Sequence, residues 1–373
     1  MVTRRVLLSS LLAAVFPPAA ADARGMDAAP SARADGWPVA EPASARLDPQ
    51  ALSELIEMID AGVSARNIHA VLVEHKGRLV FEHYWPGEDG EYGYVEHGPE
   101  TLHDIRSVTK SVTSLLLGVA LDGSAESTLS RPIGSFFPEA RNLAGELKAV
   151  TLHHVLTMTA GFAWNETIVP YNSQNDFIRL LTGDDPIAFT LAKEFLDAPG
   201  RRWLYNSGLS ELVGGVIEKL TGMALTDYAN RVLFEPLQIS DYEWWRPTAW
   251  PSDHFPSASA GLRLRARDLA KVGSLMLHSG RWRGRQLVPE DWIEISTARH
   301  VANSWERYGY GYFWFPGVLY TGHKVIMASG WGDQRLYVVP DAGLVITIFA
   351  GNYESGGGVA GERIAGRIVR ALR

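Results

Sequence analysis

The sequence predicts an α/β protein in which one sheet is assembled from both ends of the chain, with a helical region inserted between them. Three observations lead there. Two β-rich runs, His69–His75 and Arg78–Trp85, flank a Lys76-Gly77 turn near the N-terminal end. From about Asp104 the apolar pattern takes a helical period and keeps it for well over a hundred residues. The last third returns to short β-rich runs and closes on a helical pattern.

Taken in order, the chain begins with Arg4 and Arg5 followed by an apolar run from Val6 to Phe16, too short to span a bilayer. Ala19-Ala20-Ala21 and Ala21-Asp22-Ala23 offer small-x-small cleavage sites, so residues 1–23 read as a signal peptide and the protein as exported, to the periplasm or beyond. Thr3-Arg4-Arg5-Val6-Leu7 partly matches a twin-arginine signal, and a general-route signal fits as well. Residues 24–45, rich in Ala, Pro, Gly and Asp, read as a flexible linker, and 46–373 as the folded domain.

Asp48-Pro49 opens an amphipathic helix through about Ala61, with Leu52, Leu55, Ile56 and Ile59 at helical spacing. After the hairpin come helix candidates at Thr151–Thr157, Asp176–Leu181, Leu209–Thr221 and Thr226–Leu233. Tyr308–Trp314, Val325–Ala328, Gln334–Val339 and Leu344–Phe349 read as strands, with Asp341-Ala342-Gly343 as a turn. Gly361–Leu372 reads as the last helix. A catalytic cleft is expected where sheet and helical region meet.

Composition removes several function classes. The 373 residues are 46% hydrophobic and 21% charged with a net charge of −7, which does not suit a nucleic-acid binder. There are no cysteines, so disulfides, thiol nucleophiles and thiolate metal ligands are out. Eleven histidines are present without H-E-x-x-H, and no G-x-S-x-G elbow occurs, so no metal and no cofactor is expected. His153-His154 reads as helix packing, and His103-Asp104 as capping or positioning the helix that follows.

Ser107-Val108-Thr109-Lys110 is an S-x-x-K element at a helix start. Spacing of three puts both side chains on one face. A serine hydroxyl needs a base, and a lysine serves only when burial or a nearby cation depresses its pKa. The apolar run Val112–Ala120 can supply that burial. The N–H of Ser107 at the helix start suits an oxyanion. A second element, Trp203-Leu204-Tyr205-Asn206-Ser207-Gly208, holds a tyrosine that can relay a proton if cations lower its pKa. A third, Ala328-Ser329-Gly330-Trp331-Gly332, offers small residues and a second backbone oxyanion donor. Pro170–Gln174 reads as a loop over the site. S-x-x-K alone arises readily by chance; the three elements together do not.

From about Leu47 to the C-terminus the sequence resembles the serine β-lactamase and penicillin-binding-protein-like hydrolases. The branch it is most similar to holds class C β-lactamases, related esterases and 6-aminohexanoate-dimer hydrolases. The phrases Leu152–Gly161, Phe234-Glu235-Pro236-Leu237, Ala260–Leu264, Ala266–Ala270 and Gly284–Pro289 carry the likeness beside the three elements. The resemblance implies a β-lactamase/transpeptidase-like antiparallel sheet flanked by helices. It implies Ser107 as acylated nucleophile, Lys110 and Tyr205 as its proton-transfer partners, and the N–H groups of Ser107 and Trp331 as oxyanion hole. Asn206, Ser207, Ser329 and Gly330 are the expected substrate-binding residues. Two departures stand out: Asn206 follows Tyr205 directly where many members have Tyr-x-Asn, and Ala328 stands where they often carry Lys or His. Both fit an ester or amide hydrolase acting on a small molecule better than a β-lactamase or D-Ala carboxypeptidase, the main alternative. The alternative of another class is a non-catalytic penicillin-sensor-like binding protein. No nucleic-acid partner and no membrane span after signal cleavage are expected.

Overall fold

The computed structural model describes residues 29–62, 65–121, 123–138, 147–303, 307–354 and 359–373. The expected signal peptide lies outside the described residues. Asp48 caps the first helix, α1 (Pro49–Asp60), accepting from the N–H of Gln50 with Pro49 at the first helical position, and Leu52, Leu55 and Ile59 are its buried side. The strands β1 (Ile68–His75) and β2 (Arg78–Tyr84) follow. The helical region contains α2 (Val108–Leu121) and α3 (Ser207–Thr221), and α4 (Ala266–Leu277) comes after it. The remaining strands are β3 (Phe315–Val318), β4 (Lys324–Gly330), β5 (Gln334–Val339) and β6 (Leu344–Ala350), and α5 (Val359–Arg370) ends the chain.

Six strands form one antiparallel sheet in the order β3-β4-β5-β6-β1-β2. β6, fully buried, lies next to β1, so the two ends of the domain meet in mid-sheet as the sequence predicts. Alternation along β5 sorts the layers. Leu336 faces α4, where Gly273 brings the helix so near that a Cβ would sit 2.7 Å from its Cδ1 and 2.3 Å from Val345 Cγ1. Arg335 and Tyr337 face α5 on the opposite side.

Two expectations need correction. The linker read at 24–45 is, from residue 29 onward, part of the domain: Trp37 and Ala45 are buried, Ala40 donates to Leu79 on β2, and Asp35 pairs with Arg267 at 3.0 Å. Its small-residue composition mimics a tether, whereas contacts with distant residues hold it. The strand read at Tyr308–Trp314 shrinks to Gly309–Tyr310. Phe313 turns into the left-handed region at φ 64°, which breaks the extended run, and the flanking aromatics are buried on all sides. Among the described residues no helix is long and apolar enough to cross a membrane.

Candidate active site

Ser107 sits in a turn just before α2. It is half-buried, and the residue ahead of it, Arg106, is in the left-handed region at φ 49°. Arg106 carries a Cβ, so the turn holds it in a conformation that costs energy. The Arg106 guanidinium is held at 2.9 Å from Glu91 and 3.5 Å from Asp104.

Lys110 lies one turn on, buried, with Nζ 3.0 Å from Ser107 Oγ. The same Nζ donates to the Ser259 carbonyl at 2.9 Å. Burial pushes the lysine down to about 8, against the pull of the Glu166 and Glu211 carboxylates. The depression that the sequence reading required is therefore supplied by the apolar packing of α2.

Tyr205 lies beside Ser107, and Lys110 Nζ lies 5.0 Å from its ring centre. Its pKa does not fall as a relay lowered by cations would need. Burial first, and Glu166 second, push it up, so the phenol keeps its proton. Asn206 and Ser207, expected at the substrate, are buried and engaged internally. Asn206 Oδ1 caps α3 by accepting from the N–H of Leu209 at 3.3 Å. Ser207 gives both its N–H (2.9 Å) and its hydroxyl (2.7 Å) to Glu166. The unusual Tyr-Asn-Ser order thus places the asparagine at a helix cap.

The third element forms the end of β4. Ala328 is fully buried, and Ser329, half-buried, is paired with Arg335 of β5. Gly330 is needed for close approach: a Cβ there would lie 2.4 Å from the carbonyl oxygen of Ile105, two residues before Ser107. β4 is thereby laid against the Ser107 turn, and Trp331 emerges beside it. Its partly exposed ring stacks on Tyr171 at 4.7 Å and meets Tyr353 edge-on at 5.2 Å. The loop read at Pro170–Gln174 therefore reaches the third element.

Two buried acids escaped the sequence reading. Glu166 accepts from Trp164 Nε1 at 2.7 Å besides Ser207. Glu211 accepts from Ser257 Oγ (2.9 Å) and from the N–H groups of Ala258 (2.9 Å) and Ser259 (3.1 Å), fixing the segment whose carbonyl holds Lys110. A lone acid in the apolar stretch Leu209–Ile217 was the signal for Glu211; Glu166 had none. His154 closes a capping box with Thr151, and His153 Nδ1 lies 2.9 Å from the Tyr312 hydroxyl, both packing roles.

Several known proteins are similar to this chain. Esterase EstB of Burkholderia gladioli is 28% identical over 223 residues, 53% of this chain and 55% of EstB. The 6-aminohexanoate-dimer hydrolase of Paenarthrobacter ureafaciens is 26% identical over 221 residues, 56% of this chain and 54% of that enzyme. The chain thus spans about half the length of these curated relatives. Among solved structures, a penicillin-binding protein homologue from Pyrococcus abyssi superposes with a TM-score of 0.64 at 21% identity, over 87% of this chain and 76% of that one, a likeness of fold. The family model described as Beta-lactamase matches residues 56–367, most of the chain, and the protein belongs to that family.

Proposed function

We propose that the chain is a serine hydrolase that forms an acyl-enzyme on Ser107 and hydrolyses neutral, short-chain carboxylic esters or amides. The observation that carries this reading is the position of Lys110: buried, depressed to about 8, and 3.0 Å from Ser107 Oγ. In its neutral form the amine keeps one N–H on the Ser259 carbonyl and turns its lone pair to the Ser107 hydroxyl. It takes that proton as Oγ attacks the carbonyl carbon. Tyr205, a phenol that keeps its proton beside Ser107, then gives a proton to the leaving alcohol or amine and recovers one through Lys110. The N–H groups of Ser107 and Trp331 face the oxyanion in this scheme. Water then attacks the acyl carbon, and Oγ leaves with its proton restored.

Substrate charge follows from the cations at hand. A β-lactam or D-Ala peptide carries a carboxylate near the scissile carbonyl. Ala328 offers it nothing, Arg335 is 2.9 Å from Asp333, and Arg106 is held by Glu91 and Asp104. Lys324 begins β4, about 20 Å of strand from Gly330. A missing charge-assisted hydrogen bond costs about 1.5–3 kcal/mol, or roughly ten- to a hundredfold in selectivity. The test compares kcat/KM for p-nitrophenyl butyrate and nitrocefin, with mass-spectrometric mapping of a fluorophosphonate label. Ester preference with label on Ser107 is expected. Preference for nitrocefin overturns the substrate reading, and label on another serine overturns the mechanism.

A further inference from the structure

Three histidines that the reaction does not use converge beside the nucleophile's lead-in. His69 is on β1, His97 follows the short hairpin of Gly87–Asp89 with Gly93–Val95, and His103 is in the two-residue strand four positions before Ser107. One ring nitrogen from each falls within 4.8 Å of the others. The rings of His69 and His97 stack at 4.0 Å, and Asp89 Oδ2 lies 3.8 Å from His103 Nε2.

The hydrogen bonds fix the tautomers. Asn67 gives its Nδ2 to the Glu88 carbonyl at 2.8 Å and accepts from the Glu88 N–H on Oδ1 at 2.9 Å, which settles which end of the amide is oxygen. That Oδ1 is 3.1 Å from His69 Nε2, so Nε2 carries the proton. His103 Nδ1 is 3.0 Å from the Asp104 carbonyl oxygen and likewise carries the proton. A neutral imidazole has one N–H, so His69 Nδ1 and His103 Nε2 present lone pairs. They face each other at 2.9 Å. Two lone pairs at that distance repel unless a cation lies between them. Near them, His97 Nε2 is buried without a hydrogen-bond partner.

We propose that His69, His97 and His103, with the Asp89 carboxylate, bind one divalent transition-metal ion of borderline softness, with Zn²⁺ as the archetype. Two nitrogens each about 2.0–2.1 Å from one Zn²⁺ are about 2.9–3.4 Å apart for angles between 90° and tetrahedral, and the observed 2.9 Å lies at the near end of that range. Asn67 and the Asp104 carbonyl are the outer partners that orient metal-bound imidazoles. A shared proton is the competing cation between the two facing nitrogens. The ion joins β1, the His97 loop and the strand leading to Ser107, so its part is structural: it ties the nucleophile's turn to the sheet.

The test uses untagged full-length protein stripped with a chelator. Equilibrium dialysis with Zn²⁺ should give one equivalent per chain, Co²⁺ should give visible d–d bands, and Zn²⁺ should raise Tm. His97→Ala breaks no hydrogen bond of that Nε2 and should weaken Zn²⁺ binding at least about tenfold. His278→Ala, at a site apart, should leave it unchanged. No stoichiometric binding by wild type overturns the proposal, as does equal affinity in His97→Ala. So does a histidinium ¹⁵N signature at His69 or His103 in protein that takes up no metal.

Discussion

Lys110 Nζ donates to the carbonyl of Ser259 at 2.9 Å, and the N–H of that same Ser259 donates to Glu211 at 3.1 Å. The amine beside Ser107 is thus positioned through one residue, Ser259, by a carboxylate buried in α3. Glu166 plays the matching part beneath Tyr205 through Ser207. The acids sit behind the reacting groups, where they tune charge and hold geometry.

Proton transfer gives the first test. Lys110→Ala and Tyr205→Phe should each lower kcat by about 10²–10⁴-fold, and Ser107→Ala should abolish acylation. The Lys110→Ala and Tyr205→Phe losses should not multiply in the double variant, because both residues serve one proton path through Ser107 Oγ. Fully multiplicative losses in steady-state kinetics would separate their roles.

The pH profile gives the second. A base must be neutral, so kcat/KM should rise with pH up to about 8 and level off above it, following Lys110. Glu166 is the larger of the two anions that raise the lysine. Glu166→Gln keeps an acceptor for Trp164 and Ser207 while removing the charge, so the limb should move to lower pH. A limb that stays put or moves up would place the essential base elsewhere.

Stability gives the third. Glu74 is buried with two donors, Gly77 N–H and Ser274 Oγ, on Oε1 and none on Oε2, and burial raises it from 4.5 to about 7. The folded state then binds more protons than the unfolded state between those values, so this group costs stability as pH rises through that window. Glu74→Gln should therefore stabilise the protein by up to about 3 kcal/mol at pH 8, with the gain fading towards pH 4.5. Denaturant unfolding at the two pH values measures it; a gain that is larger at low pH contradicts the assignment.

The fourth concerns Gly330. A Cβ 2.4 Å from the Ile105 carbonyl forces backbone to move, parting β4 from the Ser107 turn. Gly330→Ala should lower kcat by about 10²-fold, as loss of one oxyanion donor does, with KM changing much less. Wild-type kcat in a folded variant would remove Trp331 from the oxyanion hole.

What the sequence determined by itself was whatever is written locally. β-rich runs marked β1, β2, β5 and β6 to within a residue or two, and the Asp48-Pro49 cap marked the start of α1. The S-x-x-K spacing determined the Ser107–Lys110 contact, because residues three apart on a helix share a face. Tertiary structure decided everything that depends on long-range contacts. It pressed Gly330 against Ile105, and it turned Asn206 and Ser207 inward onto a helix cap and Glu166. It set Glu211 behind Lys110 and gathered His69, His97 and His103. Burial then set the protonation states, lowering Lys110 and raising Tyr205, since desolvation depends on the atoms that surround a group and not on its neighbours in the chain.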